Sequence, residues 1–228
     1  MVRPHAVVKA INACFRVRVA LTLLMVKAMK RSIQLLSILI IVGWWFQLSS
    51  CCKPEISGNV PGTLRPQETG NWCWAATTQM LAQHLGIAVS QCALANERFG
   101  RTDCCDPETP NTTCPKRDEC NRPGWLMLDF AGVSHTEKDT ALSWQQLREQ
   151  IFCSKKPMGY AYGTPGVVGH VLVIKGYITL AGTNYLVLND PWAPCAGAER
   201  IITYEEYVDP AGSATHWTTF YDIKKKTP

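Results

Sequence analysis

Apolar and polar positions change their spacing several times along the chain, and each change marks a region of a different kind. From Ser32 to Leu48 the residues are apolar almost without a break, interrupted by Gln34, Gly43 and Gln47. Residues 53 to 66 show no period and hold three prolines and two glycines, the composition of an extended tether. A helical period starts beyond Asn71, where Cys73, Trp74, Ala75, Ala76, Met80, Leu81 and Leu85 recur at spacings of three and four, and Gly86 stands where a left-handed cap ends a helix. Ser90 as N-cap and Gly100 as terminator bound a second helix that runs to Phe99. Residues 101 to 123 lose all period and place four cysteines among prolines and charged residues, which reads as a stapled surface loop. Gly124 to Phe130 is expected to form a short helix. Ser143-Trp144-Gln145-Gln146 fits a capping box that opens a helix reaching about Phe152.

After Pro157 the pattern turns to strands. Val171 to Tyr177 and Tyr185 to Leu188 are rich in β-branched and aromatic residues, with Ala181-Gly182-Thr183-Asn184 as the turn between them. Ile201 to Tyr204 and Trp217 to Ile223 are two further candidate strands. Helices first and antiparallel strands after describe an α+β protein with two segregated halves.

Charge changes the picture at the N-terminus only. The first fifty of the 228 residues carry seven basic residues and no acidic one, leaving 16 basic against 18 acidic from Cys51 onward. The formal charge of +5 thus belongs to the leader, and the rest has no basic footprint for nucleic acid. The expected organisation is a leader over residues 1–50, a tether over 51–63 and one domain over 64–228, long enough for a sizeable core. Met29-Lys30-Arg31, the apolar run and Leu48-Ser49-Ser50-Cys51 together resemble a bacterial lipoprotein signal, which implies acylation at Cys51. A spanning helix needs about 20 apolar residues, and this run is shorter and interrupted. The expectation is a membrane-anchored lipoprotein facing the periplasm or exterior, its start at Met1 or at Met29. An ordinary cleaved signal or an uncleaved membrane anchor is the alternative.

Eleven cysteines do not suit a reducing cytosol. Apart from Cys14 in the leader, the acylation candidate Cys51 and Cys73, eight remain: Cys52, Cys92, Cys104, Cys105, Cys114, Cys120, Cys153 and Cys195. Disulfides are expected of them, with no connectivity assigned. A zinc site on Cys104, Cys105, Cys114 and Cys120 is the rival, although their spacing lacks the paired knuckles of structural zinc.

Cys73 enters the first turn of the first predicted helix, a setting in which free backbone N–H groups and the dipole favour a thiolate. The run Gln67-Glu68-Thr69-Gly70-Asn71-Trp72-Cys73-Trp74-Ala75 and the later Gly169-His170-Val171-Leu172-Val173-Ile174-Lys175-Gly176-Tyr177 resemble papain-like cysteine peptidases, and Asn-Trp-Cys-Trp-Ala-Ala resembles their bacterial branch of bacteriocin-leader peptidases and plant-pathogen effector proteases. The resemblance spans roughly residues 64 to 195. It implies a papain-like α+β fold, Cys73 as nucleophile, His170 as base and Gln67 as oxyanion donor. It also implies a peptide or protein substrate, and no cofactor or metal.

Asp190, in Leu188-Asn189-Asp190-Pro191-Trp192, is expected as the third member, with Asn189 in reserve because papain itself uses asparagine. The midpoint of His170 and Asp190 falls at Leu180, before the turn, so a bulge or longer loop must bring them together. The cysteine-rich stretch from Cys92 to Cys120 departs from the simplest family layout. A cell-wall peptide hydrolase and a non-catalytic binding lipoprotein are the alternative functions. The first usually shows Asp-Cys-Ser/Thr-Gly, unlike the residues around Cys73.

Overall fold

The computed structural model describes residues 52–105, 118–167 and 169–227. The leader, Cys51 and Cys114 lie outside them. The chain divides into a unit Met1–Lys53 and a unit Pro54–Pro228, and the sheet and helices named next belong to the second. Among the described residues no helix is long and apolar enough to cross a membrane.

An antiparallel sheet organises the second unit. Its strands are β1 (Ser57–Asn59), β2 (Val133–Lys138), β3 (Met158–Gly163), β4 (His170–Leu180), β5 (Thr183–Asp190), β6 (Ala198–Thr203) and β7 (Thr215–Lys225), and its order is β2-β7-β3-β4-β5-β6 with β1 paired to β4. The helices are α1 (Cys73–His84), α2 (Gln91–Phe99), α3 (Trp144–Arg148), which continues as a π-helical turn over Glu149–Cys153, and α4 (Tyr204–Val208).

Alternation along β4 divides the apolar interior in two. Val171 and Val173 face a core with Trp74, Leu81 and Leu94 from α1 and α2. Leu172 and Ile174 face a second core with Leu147, Ile151 and Tyr207 from the α3 and α4 side. Helices therefore cover both faces of the central strands, which explains why β4 reads as an unbroken apolar run. The architecture is α+β, as the sequence leads one to expect.

Local signals locate most boundaries. The Ser90 side chain accepts from the Ala93 N–H at the start of α2, and Gly100 closes that helix at φ 61°. Ser143 and Gln146 form the expected capping box. β4 and β5 are joined through Ala181 and Gly182, both at positive φ, as a two-residue hairpin turn requires.

Three expectations need correction. The tether is not free from Pro54 on. Ser57–Asn59 pairs with Gly176–Ile178, and the carbonyls of Pro54 and Glu55 accept from Arg148. Prolines and glycines permit extended chain, and here β4 offers an open lane to extended chain. Gly124–Phe130 forms a loop ending in a turn rather than a helix, with the Gly124 backbone against the Trp74 indole and the Arg122 carbonyl before it accepting from Trp74 Nε1. The helical and strand elements are not fully segregated, since β2 precedes α3 and α4 lies between β6 and β7.

Candidate active site

Cys73 is the first residue of α1 and is 9% exposed. No side chain caps that end of the helix, and no acidic residue lies in its first turn, so the positive end of the dipole faces the sulfur unopposed. The residues on either side of Cys73 are fastened to one segment. Trp72 Nε1 donates to the Cys120 carbonyl at 2.7 Å and Trp74 Nε1 to the Arg122 carbonyl at 3.3 Å. Between these, Asn71 donates two hydrogen bonds to Asn121, 2.7 Å from its backbone N–H to Asn121 Oδ1 and 3.0 Å from its Nδ2 to the Asn121 carbonyl. The Cys104–Cys120 disulfide holds the segment in place. One turn along α1, Thr77 Oγ1 donates to the Val171 carbonyl at 3.0 Å, which ties the helix to the residue after His170.

The sulfurs sort as expected among the described residues. Cys92–Cys105 and Cys104–Cys120 are bridged, Cys52, Cys153 and Cys195 are also disulfide-bonded, and Cys73 is free. Glu68, Cys92 and Cys105 lie close enough together to suggest a metal cluster, but the bridge between the two cysteines removes both thiolates. Three of the four proposed zinc thiols are likewise in disulfides.

His170 opens β4 and Asp190 closes β5, and a bulge decides how they meet. From the turn back to Gly176↔Val187 the strands keep one register; beyond it Ile174 faces Leu188 and Val173 faces Asn189, so Lys175 is an extra residue on β4. A one-residue slip moves side chains to the other face of a sheet. Continuing the hairpin register without the bulge would put Asn189 on the histidine's face. With it, Asp190 becomes the diagonal neighbour of His170, and Oδ1 takes the Nε2–H at 2.6 Å. Asn189 is buried on the opposite face. The displaced Lys175 carbonyl does not go unused, since the Val60 N–H bonds it at 2.8 Å where β1 leaves the sheet.

The surroundings set the charge. Asp190 is almost wholly buried, and its carboxylate also accepts from the Trp192 N–H at 2.9 Å and from Arg200 Nη1 at 2.7 Å. Burial alone would raise its pKa, but these donors and the imidazolium together hold it below the usual carboxylate value. For His170, burial alone would lower the pKa. Its hydrogen bonds to Asp190 and to Cys73, with the negative charge at both, outweigh that and push it up to about 9. A His170 pKa above its ordinary 6.5 means the pairing stabilises the fold fully below that value and ceases to as pH rises through about 9. The depressed Asp190 works oppositely, adding stability above the ordinary carboxylate value and losing it as pH falls through the lowered one.

Gln67 is fully buried and fixed at both ends. Its N–H donates to the Pro191 carbonyl at 3.0 Å and its carbonyl accepts from the Cys195 N–H at 2.9 Å, which joins it to the loop following Asp190. Its side-chain Nε2 donates to the Thr69 carbonyl at 2.9 Å and to the Gly70 carbonyl at 2.6 Å. Both amide hydrogens are therefore engaged by the turn that precedes α1.

Cys73 and His170 line one cavity of about 360 Å³. Its other walls are largely apolar, Trp125, Val167, Val171 and Trp217, with Asn71 from the turn before α1 also lining it. Trp217 packs closely on the backbone at Gly169, where a Cβ would meet its ring at 2.1 Å, and Trp125 stacks on it at 6.4 Å between centroids. Trp125, Trp217, Asn121 and Arg200 are the site residues that sequence reasoning missed. The glycines at 163 and 169, spaced about the end of β3 and the start of β4, were the available sign of a large ring packed there.

The profile of the Peptidase C39-like family matches residues 59–222. No curated protein sequence matches the chain. Among solved structures, a mite allergen from work on the limited antibody cross-reactivity between Blo t 1 and Der p 1 aligns at 13% identity with a TM-score of 0.46, covering 77% of this chain and 73% of that one. The digestive procathepsin L 3 of Tenebrio molitor larval midgut aligns at 11% identity with a TM-score of 0.43, covering 75% and 72%.

Proposed function

This chain belongs to the Peptidase C39-like family, and we propose that it is a papain-like cysteine peptidase that cleaves peptide bonds through a thioester on Cys73. The observation that carries this reading is the free Cys73 at a helix N-terminus, lining one cavity with an imidazole whose Nε2 is held by a buried carboxylate at 2.6 Å. A raised His170 pKa suits an imidazolium beside a thiolate at neutral pH. The Cys73 thiolate attacks the peptide carbonyl and His170 gives its proton to the leaving amine. Water deprotonated by His170 then releases the acid product and the free thiol. Asp190 fixes the tautomer and orientation of the imidazole.

The Cys73 N–H and the Gln67 amide stabilise the oxyanion, which requires Gln67 to exchange one of its bonds to the Thr69 and Gly70 carbonyls for the developing charge. The apolar cavity beside Cys73 receives a substrate side chain.

An epoxide-type peptidase inhibitor, whose ring opening by a thiolate needs a proton, tests the site directly. It is expected to add one label per chain, at Cys73, at a rate that falls as pH rises through about 9. A non-catalytic binding protein would not label, and labelling unaffected between about pH 8 and about pH 10, on either side of the raised His170 pKa, would remove the imidazolium from the mechanism.

The leader reading adds export and a lipid anchor at Cys51. Cys51→Ser is expected to move the protein from the membrane fraction to the soluble fraction or to block its processing. Unchanged fractionation would end the lipoprotein reading.

A further inference from the structure

Asp190 has two oxygens, and different parts of the sheet occupy them. Oδ1 accepts from His170 Nε2 at 2.6 Å and from the Trp192 N–H at 2.9 Å, while Oδ2 accepts from Arg200 Nη1 at 2.7 Å. Arg200 sits on β6 opposite Leu188, on the same face of the sheet as Asp190. It lines a small cavity together with Tyr162 of β3, the residue paired with His170, whose ring stands edge-on to the imidazole at 5.9 Å. The arginine thus ties β6 to β5 beside the histidine. A carboxylate held through one oxygen alone can turn about its terminal torsion, since such sp³–sp² torsions are broad and soft. Held through both, it presents Oδ1 in one direction.

We propose that Arg200 is a positioning residue of this peptidase, fixing the Asp190 carboxylate so that the imidazole keeps Nε2 on Asp190 and Nδ1 toward Cys73. The assignment rests on the reading of Cys73, His170 and Asp190 as a catalytic triad. Arg200 is suited to it because a guanidinium binds a carboxylate in a defined plane and does not titrate. It is half exposed, whereas its partner carboxylate is almost wholly buried, so the pair anchors the acid from the solvent side. The titratable groups facing this cluster are Cys73 from α1, Tyr160 and Tyr162 from β3, Asp190 from β5, Arg200 itself from β6 and Glu206 from α4, the two tyrosines and Glu206 sharing a small cavity with Arg200.

The test compares Arg200→Gln and Arg200→Lys in the full chain, with peptide kinetics and the His170 titration followed by imidazole NMR. Arg200→Gln is expected to lower kcat about 10-fold or more with KM little changed. It should also raise the His170 pKa by roughly half a unit or more, because a positive charge has left the neighbourhood of the imidazolium. Arg200→Lys keeps the charge, so its His170 titration should stay near wild type and kcat should recover in part. A wild-type kcat or an unmoved His170 titration in Arg200→Gln overturns the proposal. His170→Ala in the same series reports on the catalytic reading separately: activity surviving there sinks the triad, whereas an inactive His170→Ala leaves the Arg200 result to bear on Arg200 alone.

Discussion

Cys73→Ser and His170→Ala are each expected to reduce peptide cleavage to background, a loss on the order of 10⁵- to 10⁶-fold in kcat, while the protein stays folded. The size follows from the two groups acting as one unit. The sulfur has a single imidazole to which it can give a proton, and among the described residues no other histidine lines its cavity. Serine is close in size to cysteine, so the change at the start of α1 leaves the neighbouring bonds to Asn121 and Cys120 unaltered. Losing His170 does not orphan Asp190, which keeps the Trp192 N–H and the Arg200 guanidinium. The stability cost should therefore be that of one hydrogen bond to a charged group, about 1.5–3 kcal/mol. Thermal unfolding checks the fold and turnover of a peptide library checks the activity. A Cys73→Ser protein that cleaves at the wild-type rate would falsify the thioester mechanism.

Gln67→Ala is expected to lose about 100- to 1000-fold in kcat with a small change in KM, as when one oxyanion donor is removed. This residue also has a structural duty, because its amide bonds two carbonyls of the turn before α1. The variant should therefore be less stable by about 1–3 kcal/mol, the cost of leaving buried acceptors unmatched. The two effects separate when turnover is divided by the number of sites that an active-site inhibitor titrates. If kcat per titrated site is unchanged, Gln67 only builds the turn. If the loss persists per site, the amide acts on the oxyanion. Gln67→Glu should be no better than alanine, since an ionised carboxylate can donate neither to those carbonyls nor to an oxyanion.

Features encoded within one turn of chain are legible in the sequence. Ser90 and Gly100 bound α2 because a cap needs only its own side chain and the next three N–H groups. Ser143 with Gln146, and Ala181-Gly182 with its positive φ angles, are local in the same way. Cys73 could be placed at the start of a helix and His170 at the start of a strand for that reason. The sorting of cysteines was also legible, since setting aside the leader's Cys14, the acylation candidate Cys51 and the helix-start Cys73 left an even set for pairing. What misled was composition: Pro54 to Thr63 is rich in breakers and reads as a tether, yet a strand lane beside β4 makes three of its residues β1.

By itself, then, the sequence determined the helix ends, the hairpin turn, the α+β class and the placing of Cys73 at a helix start and His170 at a strand start, because each depends on interactions reaching a few positions along the chain. Only the tertiary structure decided the partner of His170. Asn189 and Asp190 are adjacent, and both read as acceptable acceptors. The choice between them depends on Lys175, an extra residue on β4 whose insertion turns Asp190 to the histidine's face and buries Asn189 on the other. That bulge is held where Val60 bonds the Lys175 carbonyl and where Ile174 and Tyr177, on either side of it, both enter the same core. Arg200, Asn121, Trp125 and Trp217 belong to the site for a similar reason, coming from segments tens of residues from the nucleophile and histidine or across the sheet from them. Register and long-range packing are set by which faces can be buried together, and that is a property of the assembled cores rather than of any stretch of the chain.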